Sequence, residues 1–478
     1  MVIEFCHSMK LKYALLLLIL CATGAQAKDG HDIRIRIKGF PKDSTARIGY
    51  YYGKNRYNAQ DTAKADSKGE LVFKGKKNLP EGVYICLLPK GYFEFLVTEQ
   101  SFSMETDTAD LEMHMKVKGS KENTEFYEFR RFTNVAGRKA DSLNKILKKR
   151  KNADSVKNLK AQMREIDKNV DSFRKYFLAK YPTSFAVHLL KAAREPEVPE
   201  TPLLKSGQKD STFPYRYYKR HFFENIDFHD DRIVRTPFYD TKLESYFKNL
   251  VPPSPDSIIN DADSLIERTK VGTEAFKYTL SWVLNHYEES QYMGMDAVTS
   301  HLVERYYCAG QATWITAVQK YNMCKRDSIV SHLLIGKIAP DLYLTDSAGK
   351  LITLYSVKKK YTILFFWDAT CGHCQKAMPV LHDFYEKYKD KVDMAVYAAT
   401  NERKTADWKK YIQEKKIGDF INVWDSYTVT DFNKMYDVYS TPVLYILDAN
   451  KKILAKRLDP SQLEDFFDHI EKKDGKKL

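Results

Sequence analysis

Cysteine is scarce in this sequence, with seven residues among 478. Five remain once a leader-like segment at the N-terminus is set aside, and five is an odd number for a framework of disulfides. So few cysteines in so long a chain exclude a small domain that is held together mainly by disulfides. Each cysteine therefore needs its own explanation, and in chain order they are Cys86, Cys308, Cys324, Cys371 and Cys374.

The sequence also lacks a hydrophobic run of membrane-spanning length. The apolar run 13–21 is too short to cross a bilayer, and no later segment approaches the ~20 apolar residues that a spanning helix needs. Lys10 and Lys12 precede this run, and an Ala-Gln-Ala motif that ends at Ala27 follows it. This pattern predicts a secretory signal peptide over residues 1–27, a periplasmic location, and a mature chain without a transmembrane helix.

A lipid anchor on Cys21 is the alternative fate of this leader. Lipoprotein signals place a small residue just before the modified cysteine, whereas Leu18, Ile19 and Leu20 precede Cys21. We therefore interpret the leader as a cleaved signal. Export matters for the remaining cysteines, because an oxidising compartment lets thiols pair.

A nucleic-acid-binding pattern is also missing, although the formal net charge is +14. The lysines are scattered, with short clusters such as those at 148–150 and 358–360, and no glycine-rich or aromatic RNA motif accompanies them. A solvated basic face explains the charge better than attraction to an anionic envelope surface. We predict no nucleic-acid partner.

Short alternating segments dominate residues 28–118. IRIRIKGF at 33–40 alternates apolar and basic side chains, the period of a half-buried strand, and Gly, Pro, Asn or Asp separates it from similar segments downstream. Several short strands at this spacing predict a β-sandwich. Cys86 falls inside one of these strands and is interpreted as a small buried hydrophobic residue.

Residues 119–334 have a helical pattern, broken by the proline-rich loop 195–207. Within this region, FPYRYYKRHFFENIDF (213–228) carries enough aromatic residues for a carbohydrate or peptide platform, but helix packing is the simpler interpretation. Cys308 and Cys324 are close enough in sequence for a disulfide worth on the order of 3 kcal/mol. Two unpaired buried thiols fit the sequence equally well, because sequence does not show whether their Cβ atoms meet.

Residues 335–478 change pattern again. The solid apolar run YTILFFW (361–367) indicates a strand covered on both faces, as in an α/β sheet. A helix, a strand, a second helix, an insertion, two strands and a last helix follow. This order predicts an α/β thioredoxin-like domain.

The motif CGHC follows that buried strand directly. Cys371 lies where the strand turns into a helix, so unsatisfied backbone N–H groups and the positive end of the helix dipole favour its thiolate. Cys374 lies one helical turn further on and can attack a mixed disulfide formed by Cys371. His373 between them can add positive charge, which makes the disulfide more oxidising.

Three further residues or pairs agree with a redox couple. Trp367 precedes Cys371 closely enough to shield its sulfur from bulk water. Pro379 is expected to kink the helix. Thr441-Pro442, before a later strand, fits a cis-proline loop that leaves the Thr441 backbone free to dock a substrate strand.

With these motifs, residues 335–478 resemble the TlpA/ResA-type thioredoxin-like domains of bacterial envelope proteins. The upstream regions resemble the uncharacterised β-rich and helical domains of exported Bacteroidota proteins, the helical one through the stretch 222–247. The resemblance implies a thiol–disulfide oxidoreductase that acts without a cofactor or metal on disulfide-containing envelope proteins. It also implies a membrane thiol electron donor.

The sequence departs from the family pattern at three positions. Phe365 occupies the position of a buried Asp in thioredoxins, Ala377 that of a Glu in TlpA/ResA-type reductases, and Thr370 that of an aromatic residue before the first cysteine. A proton acceptor for Cys374 is therefore not evident, unless Asp368 or Glu386 serves through water.

Two other chemistries fit the motif less well. Zinc would need a second cysteine pair or a histidine pair at ligand spacing, and neither is nearby. A peroxiredoxin would carry a proline and a threonine where this sequence has Leu364 and Asp368.

We therefore predict an exported enzyme that reduces or isomerises disulfides. Cys371 would be the nucleophile and Cys374 the resolving thiol, with tuning by His373 and Trp367 and substrate docking by Thr441 and Pro442. An envelope protein that binds a partner or glycan, with an auxiliary redox pair, is the alternative.

Overall fold

The computed structural model describes residues 30–53, 57–149, 153–400, 405–425 and 430–473. The predicted cleavage after Ala27 and the cysteine at position 21 lie outside the described residues. Among the helices in these ranges, none is long and apolar enough to cross a membrane. The chain divides into two compact units, Met1–Tyr246 and Phe247–Leu478.

The described part of the first unit begins with strands that form two four-stranded sheets, in the orders β4-β1-β7-β8 and β3-β2-β5-β6. The strands are β1 (His31–Lys38), β2 (Thr45–Tyr51), β3 (Tyr57–Lys64), β4 (Glu70–Gly75), β5 (Gly82–Leu87), β6 (Tyr92–Val97), β7 (Ser101–Asp107) and β8 (Lys116–Lys118). The strand-rich N-terminal region is therefore as predicted.

The core of this region explains why apolar and charged side chains alternate along β1. Ile33, Ile35 and Ile37 are fully buried, whereas the arginines between them are exposed. Residues from both sheets contribute to the same core, including Cys86, which is buried as predicted. The sequence interpretation did not identify β3, β7 and β8; β3 reads YNAQDTAK, with few apolar residues to mark it.

Helices follow the strands in the first unit. They are α1 (Lys121–Leu147), α2 (Ala153–Lys180), α3 (Phe185–Ala192), α4 (Phe213–His221) and α5 (Tyr239–Asn249), and the last of these continues into the second unit. The aromatic stretch 213–228 is only partly core, because helix α4 contains no buried residue whereas the aromatic residues that follow it are buried. Phe222 and Phe223 are buried and pack against Tyr246, with ring centroids 5.6 and 5.0 Å away.

The second unit begins with helices α6 (Pro255–Thr269), α7 (Thr273–Glu288), α8 (Asp296–Leu302) and α9 (Ala317–Val330), with a π-helical turn at Val303–Cys308. Cys308 and Cys324 form a disulfide, which answers the question that the sequence left open. The disulfide joins the π-helical turn to α9.

A seven-stranded sheet follows, in the order β10-β9-β13-β12-β11-β14-β15. Its strands are β9 (Tyr343–Thr345), β10 (Leu351–Thr353), β11 (Tyr361–Trp367), β12 (Met394–Thr400), β13 (Ile421–Trp424), β14 (Val443–Asp448) and β15 (Ile453–Lys456). The helices around it are α10 (Gly372–Tyr388), α11 (Thr405–Glu414), α12 (Phe432–Met435) and α13 (Leu463–Lys473).

β11 is an interior strand of this sheet, parallel to β12 and antiparallel to β14. All seven of its residues are buried, because a core packs on each face of the sheet. Ile363 and Phe365 belong to one core, and Leu364 and Phe366 belong to the other. The thioredoxin-like fold predicted for the C-terminal region is confirmed, while the domain boundaries at 118 and 334 stay a prediction.

Candidate active site

The reactive cysteine lies at the junction between β11 and α10. Cys371 is the N-cap residue of α10, with extended backbone angles of φ −77° and ψ 117°. In this position a side chain can accept a hydrogen bond from the third residue of the helix. The Cys374 backbone N–H donates to the Cys371 sulfur at an N···S distance of 3.4 Å.

The pKa of Cys371 lies below the usual value of a cysteine. Partial burial of the sulfur raises the pKa, but hydrogen bonds from the backbone and thiol of Cys374 and from the backbone N–H of His373 outweigh that effect. These donors stabilise the thiolate more than the thiol. The helix N-terminus thus provides the environment that the sequence predicted for this cysteine.

Cys374 has the opposite environment. Its side chain is fully buried, in the core that also contains Phe365 and Trp367. Burial disfavours its thiolate, and a charge on Cys371 disfavours it further, so the pKa of Cys374 rises to about 11. The pair therefore combines one sulfur that ionises readily with one that stays protonated.

The loop before β14 reaches the same site. The peptide bond between Thr441 and Pro442 is cis, as the sequence predicted. The Cys371 thiol donates a hydrogen bond to the Thr441 carbonyl oxygen at 3.3 Å. Loss of the Cys371 proton would release that carbonyl group for another donor.

Trp367 ends β11 and is 1% exposed, in the same core as Cys374. Cys371 packs against the edge of that core and is half-buried. The indole and the Cys374 sulfur therefore belong to one core, and Cys371 lies at the edge of that core. Its ring centroid lies 5.1 Å from that of Tyr411.

His373 is exposed. The contribution that the structure shows for it is its backbone N–H, which is one of the donors to the Cys371 sulfur. The predicted electrostatic effect of the imidazole stays a prediction.

Of the two carboxylates considered as proton acceptors for Cys374, Asp368 is near, since its backbone forms a hydrogen bond with Cys374, whereas Glu386 is remote. The Asp368 side chain accepts hydrogen bonds from the Thr370 backbone at 2.7 Å and hydroxyl at 2.6 Å. Glu386 pairs with Lys389 at 2.7 Å. Glu386 is twelve residues beyond Cys374 in the same helix, about 18 Å along its axis, so it is out of reach through a single water.

Tyr411 is a residue of the site that sequence reasoning missed. It lies on α11, inside the inserted segment, and its side chain is 8% exposed in the core that contains Cys374. Burial raises the pKa of its phenol, and a charge on Cys374 raises it further, so the two groups interact. The sequence gives only a weak signal, because Tyr411 is separated from Cys374 by a strand and most of two helices.

Two family matches cover separate parts of the chain. Residues 335–456 match the AhpC/TSA family, and residues 32–126 match a domain of unknown function, DUF4369. The helical region between them lies outside both matches.

Similar proteins match the C-terminal region. A thiol-disulfide oxidoreductase ResA from Bacillus thuringiensis is 31% identical over 147 residues, which covers 28% of this chain and 78% of the relative. A second protein of that name, from Bacillus anthracis, is 26% identical over 144 residues, covering 29% of this chain and 78% of the relative. A solved domain of a possible thiol-disulfide isomerase from Cytophaga hutchinsonii is 53% identical, with a TM-score of 0.28, covering 29% of this chain and 95% of that domain.

Proposed function

This chain belongs to the TlpA/ResA-type thioredoxin-like thiol–disulfide oxidoreductases, and we propose that Cys371 and Cys374 are its redox couple. The observation that carries the proposal is the contrast between the two sulfurs. Cys371 is half-buried with a lowered pKa, whereas Cys374 is buried with a pKa of about 11.

The first step uses the thiolate of Cys371. Its sulfur attacks one sulfur of a substrate disulfide, the substrate S–S bond breaks, and the departing substrate thiolate takes up a proton. The enzyme and substrate are then joined by a mixed disulfide. Because Cys371 ionises at lower pH than an ordinary thiol, this step does not require a separate base.

The second step uses Cys374. Its thiol loses a proton, and its sulfur attacks the Cys371 sulfur and displaces the substrate as a thiol. The products are a Cys371–Cys374 disulfide and a reduced substrate, so two electrons and two protons have moved to the substrate. The departing substrate thiolate is the proton acceptor that we propose, because it is released from the Cys371 sulfur in the same step, whereas Glu386 is remote.

The Thr441-Pro442 loop is the proposed docking site for the substrate. The Thr441 carbonyl oxygen lies 3.3 Å from the Cys371 sulfur. A main-chain N–H next to the target cysteine can donate to this carbonyl once the Cys371 proton has left. This hydrogen bond would hold the target sulfur close to the nucleophile.

We propose that the enzyme works in the periplasm, on disulfide-containing envelope proteins, and that a membrane thiol donor reduces it again. The leader sequence supports export. The disulfide between Cys308 and Cys324 supports an oxidising compartment. For the β-rich region we propose a sandwich, since its two sheets contribute to one core.

Turnover of insulin and of scrambled ribonuclease, with a dithiol as the reductant, tests the redox couple. Wild-type protein should be active in at least one assay, whereas Cys371→Ser should be inactive and Cys374→Ser should accumulate mixed disulfides. Hydrogen peroxide in place of the disulfide should give no turnover. Wild-type protein that is inactive in both disulfide assays refutes the proposal.

The equilibrium potential of the pair against glutathione tests the direction of exchange. A potential near about −270 mV would indicate a reductase, and one near about −150 mV an oxidant or isomerase. We propose reduction or isomerisation.

A further inference from the structure

An exposed aromatic ring lies next to the docking loop. Tyr439 is 80% exposed, more than any other large hydrophobic side chain in the part of the chain that the structure describes. It precedes Thr441 by two residues, so their Cα atoms are at most about 7 Å apart. The Thr441 carbonyl in turn contacts the Cys371 sulfur. The ring is therefore close to any substrate that reaches the nucleophile.

The ring is held in place although it is exposed. The Arg326 guanidinium lies 6.0 Å from the centroid of the Tyr439 ring, a distance at which a cation attracts an aromatic face. Arg326 itself lies 3.6 Å from a carboxylate oxygen of Asp437 and 3.6 Å from one of Glu288. Asp437 is buried and also pairs with Arg457 at 3.3 Å. Two carboxylates thus position Arg326, and Arg326 in turn positions the Tyr439 ring.

Arg326 comes from the helical region. It lies on α9, two residues after Cys324, whose disulfide ties this helix to the turn at Val303–Cys308. The thioredoxin-like region supplies the nucleophile, the docking loop and the ring. The helical region supplies Arg326, whose guanidinium orients the Tyr439 ring. The helical region therefore contributes a residue to the site.

We infer that Tyr439, oriented by Arg326, binds an apolar or aromatic side chain close to the target cysteine of a substrate. The substrate class is then a disulfide within an exposed apolar segment of an unfolded or misfolded polypeptide. This inference rests on the proposed function, because it assigns a specificity to the same site. Tyr439 contacts substrate and Arg326 is a positioning residue.

The geometry of a mixed disulfide agrees with this assignment. Two cysteines joined by a disulfide have Cα atoms about 4.4–6.8 Å apart. Each further residue of an extended substrate adds about 3.3–3.6 Å. The side chain two positions from the target cysteine is therefore about 7 Å along the substrate, comparable with the largest possible separation of the Thr441 and Tyr439 Cα atoms.

Charge around the ring favours an apolar ligand over an acidic one. Asp437 and Glu288 already balance Arg326, and Asp437 also pairs with Arg457. These two arginines and two carboxylates are together neutral, so an acidic substrate group gains no net attraction there. The exposed face of Tyr439 instead gains by removing apolar surface from water and by packing against another ring.

A pair of peptides tests the inference. Each carries one disulfide, and they differ only in having Phe or Ser two residues before the target cysteine. Wild-type protein should have the higher kcat/KM for the Phe peptide. Tyr439→Ala should reduce the Phe-to-Ser ratio about three- to tenfold, mainly through KM, as expected for the loss of one aromatic pair. Tyr439→Phe should keep the ratio.

Two further variants separate specificity from general damage. Tyr343→Ala removes another exposed tyrosine, 54% exposed, from β9, three strand positions away from β11, and it should keep the wild-type ratio. Arg326→Ala should reduce the ratio while the alkylation rate of Cys371 stays at the wild-type value, because Arg326 acts on the ring and not on the sulfur.

Each remaining outcome has a definite meaning. Wild-type protein that reduces both peptides equally, or a Tyr439→Ala variant that keeps the preference, overturns the inference and leaves the proposed function intact. Wild-type protein that reduces neither peptide and is also inactive with both insulin and scrambled ribonuclease overturns the proposed function, and the inference with it.

Discussion

Two cysteines three residues apart have contrasting environments in this protein, and the contrast comes from the helix between them. Cys371 caps the helix and receives backbone hydrogen bonds, whereas Cys374 points into the core one turn later. An N-cap residue faces unsatisfied N–H groups, and the third helical residue can face the interior. The spacing of the motif thus places one thiol where it ionises readily and the other where it stays protonated.

The first prediction concerns the ionisation of Cys371. Its pKa is lowered, so the alkylation rate of the reduced protein with iodoacetamide should reach half of its maximum below the pH of about 8.5 that is typical of a free cysteine. The Cys374→Ala variant should keep this fast phase if the backbone donors dominate. Cys371→Ala should lose it, because Cys374 and Cys86 are both buried with raised pKa values. A half-maximal rate at or above about pH 8.5 would contradict the active site.

The second prediction separates the backbone of His373 from its side chain. His373→Ala keeps the backbone N–H that contributes to the lowered pKa of Cys371, whereas His373→Pro removes it. Proline is tolerated in the first turn of a helix, so the fold should persist. The proline variant should have the higher Cys371 pKa and a potential about 30 mV more negative than the alanine variant, equivalent to about 1.4 kcal/mol.

Alkylation against pH and equilibration with glutathione measure both quantities. Equal values for the two variants would show that the backbone N–H of His373 does not stabilise the thiolate. In that case a difference between both variants and the wild type would assign the effect to the imidazole.

Sequence alone predicted the redox pair but missed Tyr411 beside it. A strand followed directly by CGHC is a local signal, and it predicts where Cys371 and Cys374 lie. Tyr411 reaches the core that contains Cys374 through tertiary packing, from an inserted helix. No spacing rule connects Tyr411 to Cys371, so only the fold brings it there.

At the scale of elements, a strand could be predicted from the sequence only when it contains many apolar residues. β11 is buried on both faces, and its continuous apolar run YTILFFW predicted this burial. β3 pairs with β2 along its whole length, yet its sequence is mostly polar and it is largely exposed. Backbone hydrogen bonds to the neighbouring strand stabilise such a strand. These bonds do not require a recognisable pattern of residues in the strand itself.

The third prediction concerns the disulfide that ties α9 to the π-helical turn. It closes a loop with a sequence separation of 16, and limiting the unfolded chain in this way stabilises a fold by about 3 kcal/mol. The double variant Cys308→Ser/Cys324→Ser should therefore have a lower urea midpoint. The comparison belongs in a Cys374→Ser background, so that a reductant cannot act through the active-site pair.

In that background, dithiothreitol should lower the urea midpoint of the protein that retains the disulfide and leave the double variant unchanged. An unchanged midpoint in both proteins would show that the disulfide does not stabilise the fold. It would leave the pairing itself intact, since pairing and stabilisation are separate properties.

At the scale of the molecule, the structure shows contacts that the predicted boundary at residue 334 would cut. Lys456, at the end of β15, is buried and donates a hydrogen bond to the Leu333 carbonyl oxygen at 2.7 Å. It also forms an ion pair with Asp296 of α8. A change of sequence pattern located the boundary, but such a change does not report which side chains cross it. The second compact unit begins at Phe247 and includes these helices, while the domain boundary at 334 stays a prediction.

The last prediction uses Lys456 to test where the folding unit begins. Burial lowers the pKa of Lys456 because its ammonium group is costly to remove from water, and Asp296 offsets part of that cost. A fragment of residues 247–478 keeps Asp296 and Leu333, whereas a fragment of residues 335–478 loses both. Lys456→Met should therefore destabilise the longer fragment by about 1–3 kcal/mol, since it leaves Asp296 and the Leu333 carbonyl without their partner. In the shorter fragment, which lacks both partners, the same change should cost clearly less than in the longer fragment. Urea denaturation of the four proteins measures both effects. An equal effect in both fragments would show that Lys456 does not couple the helices to the sheet, and the boundary at 334 would then be the better description of the folding unit.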